Sequence, residues 1–263
     1  MVSLRKGLGL DKKGVISLVG AGGKTSLMFR LAHELAASGE TVLTTTTTKI
    51  QPPTAEQSQH TILSDSPATI LEKAKVILQQ SPHLSAAASV LSSPEKLLGL
   101  PPEAILVLWN AGLFRWIIVE ADGAAQLPLK APASHEPVIP QCTHVVIGVL
   151  GLGAVGKTLD DQNVFRPERV ATISGLELGL GIGADTLCAV LSHRQGIFKG
   201  APTAAKKIAF LNQADVPGAV TAAHDIMDRL AGHESTDLSR VVLGSTWLDP
   251  VVLKYQDINP QTD

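Results

Sequence analysis

The sequence predicts a three-layer α/β fold built on a mainly parallel, doubly wound sheet. Three observations carry that reading. Short apolar runs alternate with amphipathic helical stretches along the 263-residue chain. Runs such as Ile117-Ile118-Val119 and Ile208-Ala209-Phe210-Leu211 are apolar at every position, as strands covered on both faces must be. The first strand also breaks into a glycine-rich turn that opens directly into a helix.

In chain order, the pattern predicts strand 15–19, helix 26–38, strands 41–45 and 61–63, helix 68–80, and a short strand near 86–91. Helix 102–113 follows, opened by Pro101-Pro102 and Glu103, then strands 116–120 and 144–150, helix 184–193, strand 207–211, helix 220–230 and strand 240–243. In the first long helix Leu27, Leu31 and Leu35 share a face with Met28, Ala32 and Ala36, and Gly39 is placed to cap its end. Residues 1–263 read as a single domain, with the Ser-, Pro- and Gln-rich segment 51–99 expected to form a lid or small lobe.

Composition narrows the function. Formal charge is −2, from Lys+Arg 22 against Asp+Glu 24, which argues against nucleic acid or an anionic membrane as the main partner. Cys142 and Cys188 form no ligand cluster and read as small core residues in a reducing compartment. The N-terminus lacks the apolar core of a signal peptide, so a soluble, cytoplasmic protein is expected. Aromatics are only 3% of the chain, a composition that suits close helix-on-sheet packing more than a surface built on aromatic stacking.

The chemistry concentrates at Gly20-Ala21-Gly22-Gly23-Lys24-Thr25-Ser26. Glycines without side chains let backbone N–H groups converge on phosphate oxygens, and the helix N-terminus adds partial positive charge. Lys24 adds a full one, and Thr25 offers a hydroxyl to Mg²⁺. The expected ligand is a nucleoside triphosphate, GTP or ATP, in a P-loop NTPase-like fold. The match is to the shorter G-x-x-G-K-T, because Leu18 stands where the full pattern wants glycine. The alternative is a turn packing helix on strand, which needs no lysine followed by threonine.

Gly151-Leu152-Gly153-Ala154-Val155-Gly156-Lys157-Thr158 satisfies the full P-loop pattern. The residues after it, through Pro167, carry no helical periodicity, so no helix N-terminus would face the phosphates. It reads instead as a flexible glycine loop near the site.

Ligands of open parallel sheets bind at the carboxyl ends of the strands. Three more strand ends carry polar groups there. Glu120 and Asp122 end an apolar strand, where P-loop enzymes place a magnesium ligand or water-holding carboxylate; a solvated Asp-Gly turn is the alternative. The run Thr44 to Thr48 offers hydroxyls, Thr46 among them, to Mg²⁺ or its waters, or is merely a β-branched strand end. Asn212-Gln213-Ala214-Asp215 is similar to the N-K-x-D guanine-recognition element of GTPases, with Gln213 in the lysine's place; a helix-capping turn is the alternative. Between Gly123 and Pro140, a proline-stiffened loop carries Lys130, His135 and Glu136 toward the cleft, for a second substrate or acid–base chemistry, with His135 equally readable as a surface residue.

These residues together resemble the YqeC family of selenium-cofactor biosynthesis proteins, whose members are described as accessory to selenium-dependent molybdenum hydroxylases. The likeness rests on Val19 to Thr25, Thr44 to Lys49, Val119 to Gly123, Leu127 to Pro132 with His135-Glu136-Pro137, Phe165 to Glu168, and Phe210 to Asp215. The resemblance implies a nucleotide-binding protein tied to maturation of a selenium- or molybdenum-containing hydroxylase, with a cofactor precursor or the apo-enzyme as partner. The short loop with Glu120-Ala121-Asp122 also looks like ATP-dependent Mur ligases, and the late Asn212 and Asp215 look like metal-insertion GTPases.

Two mechanisms remain open. A GTPase-like switch would order Thr46 to Thr48 and the Lys130 loop around Mg²⁺-nucleotide. A kinase, nucleotidyltransferase or Mur-like ligase would instead act on a cofactor precursor held between His135 and residues 151–158. In both, Lys24 stabilises phosphate charge, Thr25 and Glu120 hold Mg²⁺, and Asp122 positions water or the nucleophile.

Overall fold

Nine strands form the main sheet of the computed structural model, which describes residues 2–92, 95–232 and 237–258. They are β1 (Gly14–Gly20), β2 (Val42–Thr46), β3 (Thr61–Leu63), β4 (His83–Ala87), β5 (Trp116–Glu120), β6 (Val145–Gly151), β7 (Lys206–Asn212), β8 (Arg240–Gly244) and β9 (Val252–Asp257). Their spatial order is β9-β8-β7-β6-β1-β5-β2-β4-β3, and every neighbouring pair is parallel except β8 with β9. β1 sits near the centre, buried at all seven positions, so its carboxyl end opens where the sheet is best covered.

Helices α1 (Leu4–Gly7), α2 (Lys24–Ala37), α3 (Pro67–Ile77), α4 (Pro102–Asn110), α5 (Pro167–Ser174), α6 (Ala184–Ser192) and α7 (Ala219–Ala231) complete the layers. One face of the sheet, with Ile16, Leu18, Ile118 and Val149, packs against α1 and α2. The other face is shared by α3 and α4 on Val15, Leu43 and Ile117, and by α6 and α7 on Val146, Ala209 and Val241. α2 holds its place through Leu27, Leu31 and Leu35, each fully buried and each worth roughly 1.5–3 kcal/mol of transfer free energy. It ends as the sequence indicates, with Ser38 as the capping residue and Gly39 left-handed beyond it.

The segment 51–99 is not a separate lobe. Its strands β3 and β4 extend the main sheet in parallel pairing, with α3 packed between them and α4. What stands apart is a small antiparallel sheet formed by 49–50, 89–92 and 95–98. The short strand expected near 86–91 is thus two strands, one in each sheet. Among the described residues, no helix is long and apolar enough to cross a membrane.

Candidate nucleotide site

Strand register gathers the candidate residues at one edge. Glu120 pairs directly with Leu18 of β1 and Thr46 of β2, while Gly20 pairs with Val149 and Asn212 with Gly151. The glycine turn therefore leaves β1 between the β5 carboxylates on one side and the ends of β6 and β7 on the other. Close contacts, with backbone at Gly22 and with a side chain at Gly23, explain two of the glycines. A Cβ on Gly22 (φ +82°) would lie 2.4 Å from Gly151 N, and one on Gly23 (φ +114°) would lie 2.3 Å from Asn212 Nδ2.

Lys24 is buried at the first position of α2. Its Nζ donates to Gly20 O at 2.7 Å and lies 3.2 Å from Asp122 Oδ1 and 3.8 Å from Glu120 Oε1. Burial alone would lower the pKa of this ammonium, yet Asp122 and Glu120 outweigh it and hold it above its ordinary value. Burial lifts Glu120 above the usual carboxylate range, against the pull of Lys24 and of Thr25, whose hydroxyl donates to Glu120 Oε2 at 2.7 Å. Asp122 Oδ2 accepts from Gly20 N at 3.1 Å, and its buried Oδ1 has no hydrogen bond, since Lys24 approaches it outside hydrogen-bonding geometry.

The charge chain continues inward. Lys130, fully buried, pairs with Asp122 Oδ2 and with Glu136 Oε2, both at 2.9 Å, and donates to Gly123 O. Arg166 closes the chain on Glu136 at 2.5 Å. Burial opposes ionisation of Glu136, but hydrogen bonds from Arg166 and Lys130 hold its carboxyl at about 2. Three cations and three carboxylates thus alternate through a buried seam, which is how such charges escape the penalty of standing alone. Lys130 is a member of this seam, its ammonium shared among three acceptors.

The sequence leads one to expect the Gly22 and Gly23 amides to face an open pocket. The structure differs at Gly22: its N–H donates to Leu127 O at 3.1 Å, and Gly151 N donates to Pro128 O at 2.9 Å, so the segment 124–128 roofs the turn. Ala21 N is likewise held by Val149 O at 2.8 Å. Ala125 and Gln126 in that roof take left-handed φ values of 47° and 62°, uncommon for residues with a Cβ. Beyond Gly22 the site stays accessible. Gly23, Thr25 and Ser26 are half-buried, and no side chain caps the α2 N-terminus, so its first N–H groups face the site free of a cap.

Other expected residues are placed less directly. Thr46 donates to Glu120 O at 2.9 Å and accepts from Thr48 N at 3.0 Å, which commits its hydroxyl to the turn instead of to a cation. Asn212 Nδ2 donates to Gly22 O at 2.7 Å and its Oδ1 accepts from Thr246 N at 3.0 Å, bracing the glycine turn against the residues after β8. Asp215 is exposed and accepts from Ser245 Oγ through one oxygen. Gln213 is committed to the neighbouring loop: its Oε1 accepts from Gly153 N at 3.1 Å. His135 is exposed with no hydrogen-bond or ion-pair partner among the described residues, and nothing brings it to Asp122. The 151–158 loop contains a short 3₁₀ turn at Leu152–Ala154 and leads directly into no α-helix, and its Lys157 is exposed. Cys188 is a half-buried thiol pushed up to about 11 by burial, an inert packing residue.

Arg166 and Leu127 stand in the sequence only as parts of motifs with no role of their own, and Ser245 and Thr246 carry no motif signal. Ser245 and Thr246 follow a strand end, and the rule that found Glu120 applies equally to them. The Leu127 contact leaves no side-chain signal.

The residues fit Mg²⁺. Among the described residues, no group of three or more His, Cys, Asp or Glu could hold a metal alone. Thr25 and Glu120 supply two hard oxygen donors, with Asp122 Oδ1 buried beside them, and Mg²⁺ commonly takes one or two protein ligands and completes its shell with phosphate oxygens and water.

The chain matches the family described as YqeC protein over residues 16–168. It is 36% identical over 255 residues to the "Uncharacterized protein YqeC" of Escherichia coli (strain K12), covering 94% of this chain and 93% of that one. Among solved structures it is similar to chloroplast FtsY from Physcomitrella patens, with TM-score 0.41 and 16% identity over 92% of this chain and 63% of that one. FtsY from Mycoplasma mycoides gives TM-score 0.43 and 11% identity over 94% of this chain and 66% of that one. The chain spans just under two thirds of the length of each of these two solved structures.

Proposed function

This chain belongs to the YqeC family, and from that premise we propose that it binds a nucleoside triphosphate, GTP in preference to ATP, with Mg²⁺ at Gly20 to Ser26 and works as an NTPase switch. One observation carries the reading: a lysine and an uncapped helix N-terminus meet two carboxylates at the carboxyl end of a central parallel strand. The positive end of α2 and Lys24 attract a polyphosphate, and Thr25 with Glu120 would hold the cation that offsets its charge.

Binding exchanges partners. The polyphosphate takes the Gly22 N–H from Leu127 O and Lys24 Nζ from Gly20 O, and the roof at 124–128 must shift to admit it. Mg²⁺ held by Thr25 and Glu120 would offset charge on the phosphate oxygens. Asp122 Oδ1, without a hydrogen bond, is the acceptor that orients the attacking water. In hydrolysis the water oxygen bonds to the γ-phosphorus as the β–γ bridging P–O bond breaks, giving nucleoside diphosphate, inorganic phosphate and a proton to solvent, and release of the phosphate lets Leu127 return to Gly22. The roof, tied through Lys130 to Asp122, is therefore the element that reports the nucleotide state. Asp215, with one oxygen unused, favours the paired N–H donors of guanine.

In this reading the protein is cytoplasmic and serves maturation of a selenium- or molybdenum-containing hydroxylase, with the apo-enzyme or a cofactor precursor as partner, an assignment that follows the motif resemblance. Calorimetry of the full chain with GTP, ATP and CTP, with and without Mg²⁺, tests the binding step. Mg²⁺-dependent binding led by GTP is expected. Equal affinity for the three bases overturns the guanine assignment, and absence of binding by all three overturns the reading.

A further inference from the structure

Three tryptophans occur in the chain, and they are used very differently. Trp116 is buried in β5, and Trp109 packs edge-on against His144 with ring centroids 5.1 Å apart. Trp247 is 82% exposed, the most exposed of the large hydrophobic residues described. A tryptophan pairs a large apolar face with one polar N–H, the combination that suits a contact surface, and what singles out Trp247 is its place beside the phosphate turn.

That turn is firmly built. Ser245 N donates to Val251 O at 3.0 Å, Trp247 N to Ser245 Oγ at 3.2 Å, Leu248 N to Ser245 O at 3.1 Å, and Arg30 reaches from α2 to Leu248 O at 3.0 Å. It also borders the phosphate turn. Only the Asn212 side chain separates Thr246 N from Gly22 O, and a Cβ on Gly23 would lie 3.9 Å from Thr246 Oγ1.

The two ends of a Mg²⁺-nucleotide have different chemistry, and the sheet separates the groups that suit them. Glu120 and Asp122 lie on the β5 side of β1, whereas Asn212, Asp215 and Ser245 to Trp247 lie at the ends of β7 and β8 on the other side. With phosphates at the α2 N-terminus and the cation toward Glu120, the base extends past Gly23 toward Asp215 and the 245–247 turn. We propose that Trp247 is the platform on which the nucleobase stacks, an inference that rests on the nucleotide reading above. Every base has a π-face, so Trp247 supplies affinity for nucleotides over bare polyphosphate while Asp215 supplies the choice among bases.

The test combines tryptophan quenching by acrylamide with affinity measurements, using GTP and tripolyphosphate as Mg²⁺ complexes. Saturating GTP is expected to shield Trp247, lowering quenching toward that of Trp247→Phe, whereas tripolyphosphate, which has no base, leaves quenching unchanged. Trp247→Ala should weaken GTP about 5- to 100-fold, Trp247→Phe should restore most of the loss, and tripolyphosphate affinity should not move. GTP binding that leaves Trp247 open to quencher, with Trp247→Ala within twofold of wild type, overturns this inference while the nucleotide reading stands. An equal loss for GTP and tripolyphosphate in Trp247→Ala overturns stacking as well. Failure of both ligands to bind the wild type removes the nucleotide reading, and this inference with it.

Discussion

Replacing Gly22 by alanine measures how tightly the roof is fitted over the phosphate turn. The new Cβ meets Gly151 N at 2.4 Å, Gly151 Cα at 2.5 Å and Pro128 O at 2.9 Å, all backbone atoms that cannot rotate aside. Forcing space there costs about 1–3 kcal/mol, and the left-handed φ of +82° costs roughly another 1–2 kcal/mol. Restricting the unfolded chain returns about 0.4–1 kcal/mol, leaving a net loss of about 1–5 kcal/mol against a stability typically near 5–15 kcal/mol. Gly156 provides the control, with φ +78° and nothing within 4 Å of its added Cβ. Gly156→Ala carries the backbone cost alone, about 0–1.6 kcal/mol after the unfolded-state gain. Urea unfolding followed by circular dichroism should separate the two variants by at least about 1 kcal/mol. Variants that agree within about 0.5 kcal/mol would show that 151 and 128 do not press on the turn, and the roof would have to be abandoned.

The buried seam and the histidines give two further expectations. Lys130→Met strands Asp122 and Glu136 without the cation between them and should cost about 3–5 kcal/mol in the same unfolding assay, with much of the loss recovered in the double variant Lys130→Met/Glu136→Gln. Stability should also fall in acid in two windows. His83, lowered from 6.5 to about 4 by burial and by His33, stays neutral in the folded state while the unfolded chain gains a proton. Its contribution is complete above pH 6.5 and is lost as pH falls toward 4, so His83→Gln should reduce that slope by up to about 1.4 kcal/mol per pH unit. Glu136, lowered from 4.5 to about 2, contributes fully above pH 4.5 and loses its contribution between there and about 2; Glu136→Gln should flatten that lower window. An unchanged pH profile in either variant would contradict the corresponding shift.

The fold, and the gathering of the candidate residues at one end of the sheet, were legible because their signals are local. An apolar strand followed by Gly20 to Thr25 and an i, i+4 row of Leu27, Leu31 and Leu35 need no distant partner to be read. Glu120 and Asp122 followed from one rule about strand ends. Elements that depend on distant contacts were hidden. α5 begins at Pro167, which was read as a breaker but serves at the first helical position, where its missing N–H costs nothing. β9 is an antiparallel edge strand, exposed or half-buried at five of its six positions, so it lacks the continuous apolar run of its neighbours. Thr46 looked free because its two bonds go to backbone atoms that no residue type announces. The same holds for Leu127, whose carbonyl covers Gly22, and for Gln213, whose left-handed backbone aims its amide at Gly153.

Backbone amide resonances of the uniformly ¹⁵N-labelled chain, followed while GTP and Mg²⁺ are added, test the phosphate site most directly. The account predicts that the largest shifts fall on Gly22, Gly23, Lys24 and Thr25, with Leu127 and Pro128's neighbour Leu129 moving as Gly22 is released from its carbonyl partner. Saturable binding with residues 20–26 unmoved, or with the shifts gathered at 151–158, would contradict it.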